Sequence, residues 1–134
     1  MTVRRLARLA AIAGWAALIS FPFGWPGRFS PEYRAWFDAL FQAEVIHLAG
    51  HLVMFAGLTL LLSRLEVVRQ NKWTLLFIVV GLGCVQEGFQ LLAGGRAISP
   101  AMWFDLLTDA VGGLAGWMLA RRLFAGKEPA WEVT

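Results

Sequence analysis

Four hydrophobic stretches occupy most of this chain of 134 residues. They run from about Leu6 to Trp25, Val45 to Ser63, Trp73 to Leu92 and Asp105 to Phe124. A helix of about 20 residues rises about 30 Å, which matches the thickness of the hydrocarbon layer of a bilayer. Each stretch is therefore long enough to cross a membrane. We predict an all-α integral membrane protein with four transmembrane helices in a compact bundle.

Composition supports a single membrane domain over residues 1–134. Hydrophobic residues make up 58% of the chain, and four spans leave no room for a separate soluble domain. The net charge is +3, but the basic residues stand in short clusters beside the spans rather than along one face. We therefore expect no nucleic-acid partner, and membrane lipids are the predicted surroundings.

The basic clusters predict the topology, because they hold nine of the twelve Lys and Arg residues. They are Arg4, Arg5 and Arg8, then Arg64, Arg69 and Lys72, then Arg121, Arg122 and Lys127. Four spans bring all three clusters to one side, which the positive-inside rule identifies as the cytoplasm. Both termini should then be cytoplasmic. The first span lacks a small-residue cleavage site, so we expect a retained anchor.

A short helix is predicted over about residues 31–43, between the first two spans. Ser30, Pro31 and Glu32 supply a cap residue, a proline at the first helical position and an acid in the first turn. Aromatic and apolar residues then follow at helical spacing, which is typical of a helix lying in the outer interface. The alternative is a lid over a site or a docking face for a partner.

Pairs of small residues, four apart, predict close helix packing inside the membrane. The pairs are Ala10 and Gly14, Cys84 and Gly88, and Gly112 and Gly116. Cys84 is the only cysteine of the chain, so no internal disulfide is possible, and we expect it to be a small buried packing residue.

Polar residues gather at the outer ends of three spans, and they form the candidate site. We predict a ligand-binding site made of His47, His51, Glu87, Gln90, Arg96, Asp105 and Asp109. By helical rise, His51, Glu87 and Asp109 fall about 6 to 9 Å below the outer boundary. Acids inside a membrane normally face other helices and find partners there, so these three should converge.

Three interpretations of this constellation remain open at the level of sequence. The residues satisfy one another structurally, or they bind a substrate or lipid headgroup, or they hold a metal. His47 and His51 lie four residues apart on one helix face, but the segment lacks the glutamate of an H-E-x-x-H helix. We therefore predict neither a metal nor a cofactor.

The order of the polar motifs resembles the VanZ-like family of small bacterial membrane proteins. The matching residues are His51 with Phe55 and Leu58, Glu87 with Gln90, Gly95 with Arg96, and Asp105 with Asp109 and Gly112. The similarity extends from about Glu44 to Arg122. Departures are Gly94 where the family usually has proline, Asp109 where asparagine is frequent, and His47 where aspartate is frequent.

The resemblance implies a protein of the bacterial cytoplasmic (inner) membrane, and founding members of the family are linked to resistance to glycopeptide antibiotics such as teicoplanin. The favoured function is therefore an outward-facing polar site for an envelope lipid, a precursor or a lipophilic glycopeptide, and binding is favoured over catalysis. A second hypothesis is an accessory subunit of a larger membrane complex. A third is a small intramembrane hydrolase that uses the same carboxylates.

Overall fold

The computed structural model describes residues 2–41, 43–65, 68, 71–94 and 98–124, and all regular structure in these residues is helical. The long elements are α1 (Val3–Ser20), α2 (Pro31–Phe41), α3 (Glu44–Leu62), α4 (Lys72–Gly94) and α5 (Pro100–Phe124). A short 3-10 helix, Trp25–Arg28, lies between α1 and α2. The predicted all-α class is confirmed for the described part of the chain.

Three helical segments of the described chain are long and apolar enough to cross a membrane, as judged by length and composition. They are Val3–Arg28, Glu44–Leu62 and Lys72–Leu92, a pattern compatible with a multi-pass membrane protein. The 25-residue α5 is long enough but does not belong to this set, because Asp105 and Asp109 lower its apolar character. The fourth span stays a prediction.

Two of the predicted span boundaries differ from the helix ends by five residues, and proline accounts for both of these differences. α1 ends at Ser20 rather than Trp25, because Phe21 adopts an extended conformation (φ −71°, ψ 124°) ahead of Pro22. α5 begins at Pro100 rather than Asp105, since proline is favoured in the first turn of a helix, where its missing N–H is not needed.

The helix after the first span forms as expected and ends at Phe41. The hydroxyl of Ser30 accepts a hydrogen bond from the Tyr33 backbone N–H at 3.1 Å, so Ser30 caps the helix. The Tyr33 hydroxyl donates to the Phe23 carbonyl at 2.8 Å and ties α2 back to the preceding segment. Its position in the outer interface of a membrane is not tested and stays a prediction.

The closest helix pair is α3 with α5, and glycine allows the approach. A methyl group built onto Gly112 would lie 2.7 Å from the Leu52 carbonyl oxygen, and one on Gly116 would lie 2.5 Å from the Ala56 carbonyl oxygen. A step of four residues along α5, from Gly112 to Gly116, corresponds to a step of four residues in the same direction along α3, from Leu52 to Ala56. The two helices therefore run parallel. The predicted Gly112 and Gly116 notch is therefore used for packing, as sequences of this kind do in membranes.

The other two small-residue pairs do not pack against any described residue, and this corrects the prediction for Cys84. A methyl group on Gly14 or Gly88 would meet nothing within 4 Å. Cys84 is exposed rather than buried, because it lies on the face of α4 that points away from α3 and α5. Small residues four apart show only that another helix could approach closely. Whether a helix packs against them depends on where the neighbouring helices lie.

An apolar core joins α1, α3 and α4 below the polar end. Phe55, Leu58 and Val79 are its most deeply buried large side chains, and Ile19 reaches it from the end of α1. The Trp15 indole N–H donates to the Met54 carbonyl at 2.8 Å, which attaches α1 to α3. α4 runs antiparallel to α5, so that its last turns lie beside the first turns of α3 and α5.

Candidate functional site

The polar cluster, which we define as His47, His51, Glu87, Asp105 and Asp109, lies at one end of the packed helices. α3 and α5 are parallel and each contributes two members near its start, whereas the antiparallel α4 contributes Glu87 near its end. The equal spacing of four residues on α3 and α5 produces two matched pairs, one turn apart.

The inner pair is His51 with Asp109. The His51 Nδ1 atom lies 2.7 Å from the Asp109 Oδ1 atom, and the two side chains are 6% and 0% exposed. Gly112 and Gly116 follow Asp109 on the same face of α5, and they allow the backbones to come close enough for this short contact. A carboxylate that accepts from Nδ1 fixes the orientation of the imidazole and leaves the ring's lone pair on Nε2.

The outer pair is His47 with Asp105, one turn nearer the end of the helices. The His47 Nε2 atom lies 3.3 Å from the Asp105 Oδ1 atom, and the side chains are 40% and 15% exposed. The imidazole rings of His47 and His51 are 4.7 Å apart between centroids. The outer pair thus connects the buried inner pair to the surface of the protein.

Glu87 brings a third carboxylate to the cluster from α4. Its side chain is buried, with 6% relative exposure, and it lies within electrostatic range of Asp105, Asp109 and both histidines. The Glu87 Oε1 and Asp109 Oδ2 atoms are buried and accept no hydrogen bond from any residue in the described ranges. A buried carboxylate oxygen without a partner is costly, so these atoms have unused capacity to bind a donor or a cation.

Three members of the cluster lie close enough together to hold a metal ion. Ligand atoms of His47, His51 and Asp105 all lie within 4.8 Å of one another. Imidazole nitrogens and one carboxylate oxygen form a common ligand set for transition metals. No cofactor was predicted from the sequence, and the structure does not test that expectation.

Two predicted site residues are not brought into the cluster by any described contact. Gln90 is half-buried on α4, one turn beyond Gln86 and Glu87. Arg96 lies outside the described residues, so its predicted position over the two acids stays a prediction. The role of all seven predicted residues in binding a ligand is likewise untested.

Sequence analysis missed Gly83, which contacts the inner pair from α4. A methyl group built there would lie 2.8 Å from the Asp109 Oδ2 atom, so a larger residue would require this carboxylate to shift. The available signal was its position one helical turn before Glu87, on the same face of α4.

A groove of about 210 Å³ lies between α4 and α5 and extends from about one helical turn beyond Asp109 toward the start of α4. Trp73, Val79 and Trp117 are among its lining residues, and its walls are almost wholly apolar. The groove therefore offers packing surface rather than reactive groups, and the chemistry of the protein is concentrated in the polar cluster.

Comparison with known proteins adds no relative to this description. No protein-family model, curated protein sequence or solved structure matches the chain. Any function therefore has to be argued from the residues and their geometry.

Proposed function

We propose that the polar cluster is a binding site, open toward the outer face of a bacterial cytoplasmic membrane, for the polar part of an envelope lipid, a lipid-linked precursor or a lipophilic glycopeptide. The observation that carries this proposal is that two of the four buried oxygens without a hydrogen-bond partner among the described residues, Glu87 Oε1 and Asp109 Oδ2, lie in the cluster. If the cluster had only a structural role, its buried oxygens should have hydrogen-bond partners, because each unpaired buried polar group costs about 1–3 kcal/mol.

The topology behind the proposal is a four-span arrangement with cytoplasmic termini and with α2 in the outer interface. Its support is the parallel packing of α5 against α3, because α3 is a candidate span and α5 lies beside it. The basic residues at the start of α1 and the end of α5 support cytoplasmic termini. The exposed aromatic residues of α2, such as Trp36, suit an interface.

Single cysteines test this topology in a background that lacks Cys84. We expect Ser99→Cys to react with a membrane-impermeant thiol reagent in intact spheroplasts and Asn71→Cys to react only after lysis. The reverse labelling pattern would contradict the proposed orientation.

The charge of the cluster indicates which ligand groups it suits. Three carboxylates face two histidines, and the contacts found among the described residues include no Lys or Arg. Such a site favours amines, hydroxyls and other hydrogen-bond donors over phosphates. Amine and hydroxyl groups occur in envelope precursors and in glycopeptides. The resemblance to the VanZ-like family supports the glycopeptide as the ligand to test first.

The test is tolerance to a lipid-tailed glycopeptide in a susceptible Gram-positive host. We expect the wild-type chain to raise tolerance and Glu87→Gln, which keeps the size of the side chain, to abolish the effect at an unchanged protein level. Glu44→Gln is the matched control, because Glu44 is an exposed acid at the start of α3 outside the cluster. Full tolerance with Glu87→Gln would show that the cluster is not the site.

A second candidate function, an accessory subunit of a larger membrane complex, is favoured by the small residues that the fold leaves uncovered. A methyl group on Gly14 or Gly88 would meet no described residue within 4 Å, so these glycines on α1 and α4 offer a notch for another helix. Purification in mild detergent tests this function. A stable larger complex that is lost in Gly88→Leu would support the subunit role, whereas a monomeric chain would oppose it.

A further inference from the structure

We infer that His47, His51 and Asp105 bind one divalent transition-metal ion, with Zn²⁺ as the best-fitting ion. The inference deepens the proposed function and rests on it for the access of the cluster to the outer face, but the binding itself depends only on the geometry of these side chains. Three observations support it: the spacing of the ligand atoms, the contact of Asp109 with His51, and a buried oxygen of Glu87 that has no hydrogen-bond partner among the described residues.

The spacing of the ligand atoms suits a tetrahedral centre. Bonds of about 2.0–2.1 Å from Zn²⁺ to nitrogen or oxygen place neighbouring ligands about 3.3 Å apart. His47 Nε2 and Asp105 Oδ1 are already 3.3 Å apart, and one ligand atom from each of the three residues lies within 4.8 Å of the other two. Completing the tetrahedral set therefore requires the more distant atoms to approach by at most about 1.5 Å, and the partly exposed His47 has room to move.

Asp109 contacts His51 in the way that a carboxylate commonly contacts a metal-binding histidine. A histidine ligand commonly donates its second ring N–H to a carboxylate, which fixes the tautomer and raises the basicity of the ligating nitrogen. His51 Nδ1 is held at 2.7 Å by the fully buried Asp109, and this leaves Nε2 with the lone pair that a metal requires. Asp109 is a positioning residue here rather than a ligand.

The buried Glu87 Oε1 atom, which has no hydrogen-bond partner among the described residues, is the independent observation that points to a cation. Glu87 lies within electrostatic range of both histidines and both aspartates, although like charges that close to one another repel. A divalent cation at the cluster offsets the excess of carboxylates. Three protein ligands also leave one coordination position open for water or for a donor atom of the bound headgroup.

The ligand set selects the kind of ion. Imidazole nitrogens favour zinc and its neighbours over Mg²⁺ and Ca²⁺, which prefer oxygen ligands only. Zn²⁺ has no preferred geometry of its own from its d electrons, so it adapts to three ligands on two helices. The inference therefore predicts Zn²⁺ binding that an excess of Mg²⁺ or Ca²⁺ does not displace.

The test is metal binding by the tag-free full-length chain in detergent, in a Cys84→Ser background that removes the exposed thiol. Metal-stripped protein is titrated with Zn²⁺ in competition with a chromophoric chelator. We expect one Zn²⁺ per chain, and we expect Co²⁺ in its place to give the visible absorption of a four-coordinate nitrogen and oxygen site. Binding of less than one equivalent, or displacement by Mg²⁺, would overturn the inference.

Variants identify the ligands and separate binding from folding. His47→Ala and Asp105→Asn change partly exposed residues, and each should weaken Zn²⁺ binding by more than the roughly 10- to 100-fold typical of a lost outer-shell partner. Asp109→Asn should weaken it within that 10- to 100-fold range. Glu44→Gln is the control and should bind as the wild type does. Circular dichroism and gel filtration confirm that each variant is folded.

The outcomes distinguish this inference from the proposed function. Wild-type Zn²⁺ affinity in both His47→Ala and Asp105→Asn would overturn the metal site, whatever the glycopeptide assay shows. Zn²⁺ binding that is lost in both variants supports the site even if the chain confers no tolerance. Glycopeptide tolerance that persists in a chain unable to bind Zn²⁺ would leave the proposed function standing and remove the metal from it.

Discussion

Replacing Gly116 with alanine tests how closely α3 and α5 approach, which determines whether the polar cluster can form. The new methyl group would lie 2.5 Å from the carbonyl oxygen and 2.8 Å from the Cα atom of Ala56. Both are backbone atoms, so no side chain can rotate away. The first distance is about 0.9 Å short of the 3.4 Å at which ordinary contact begins, so the helices have to separate or shift.

Two opposing effects determine the size of the change. Overpacking of a close contact costs about 1–3 kcal/mol, whereas alanine is favoured over glycine inside a helix by about 0.8–1.0 kcal/mol. Gly81→Ala is the matched control, because a methyl group there meets nothing within 4 Å and the variant keeps only the favourable effect. The difference between the two variants should therefore be the overpacking cost, about 1–3 kcal/mol.

The measurement is reversible unfolding of both variants in mixed micelles, followed by circular dichroism. We expect Gly116→Ala to unfold at a lower denaturant fraction than Gly81→Ala. The His51 Nδ1 proton should also lose the NMR shift that marks its short hydrogen bond in Gly116→Ala but keep it in the control. Equal stability of the two variants would refute the close parallel packing of α3 and α5.

Three further predictions concern single contacts. A double-mutant cycle of His51→Ala and Asp109→Ala should give a coupling of about 0.6–1.7 kcal/mol in unfolding assays, and zero coupling would show that the inner pair does not form. Trp15→Phe removes the indole hydrogen bond to α3 and should lower the unfolding free energy by about 1 kcal/mol; no change would argue against that bond. A backbone hydrogen bond and then the Ser30 hydroxyl lower the pKa of Glu32, so this carboxylate stabilises α2 above its unfolded pKa and loses that effect as the pH falls through its folded pKa. Ser30→Ala should raise the pKa of Glu32 toward 4.5 in an NMR titration, and an unchanged pKa would show that the cap contributes nothing.

The sequence was sufficient to predict the helices, since their signals are local. Length, apolar composition and a cap residue act within a few residues of the positions they determine, which is why α2 and α3 begin within one residue of the expected places. The C-terminal end of α1 and the start of α5 were predicted five residues away from their positions, because the limits were set by hydropathy and not by Pro22 and Pro100. The fourth span stays a prediction, because α5 is not among the three helical segments that are apolar enough to cross a membrane.

The histidine and aspartate pairs were also accessible from sequence in part. Equal spacing of four residues on two helices predicted shared faces, and the cost of an acid in lipid predicted that those faces turn inward. The sequence did not specify that α3 and α5 run side by side with His47 opposite Asp105. That register depends on Gly112 and Gly116, whose partners lie on another helix.

The separation of the paired residues along the chain affects how the protein enters the membrane during synthesis. An aspartate at the centre of an inserting helix costs about 2.5–3.5 kcal/mol, and α5 contains two aspartates in its first half. Their histidine partners are on α3, which emerges from the ribosome first. In the proposed four-span arrangement, α5 therefore enters a bilayer that already contains its partner helix. An insertion reporter carrying α5 alone should integrate less efficiently than one carrying residues 44–124.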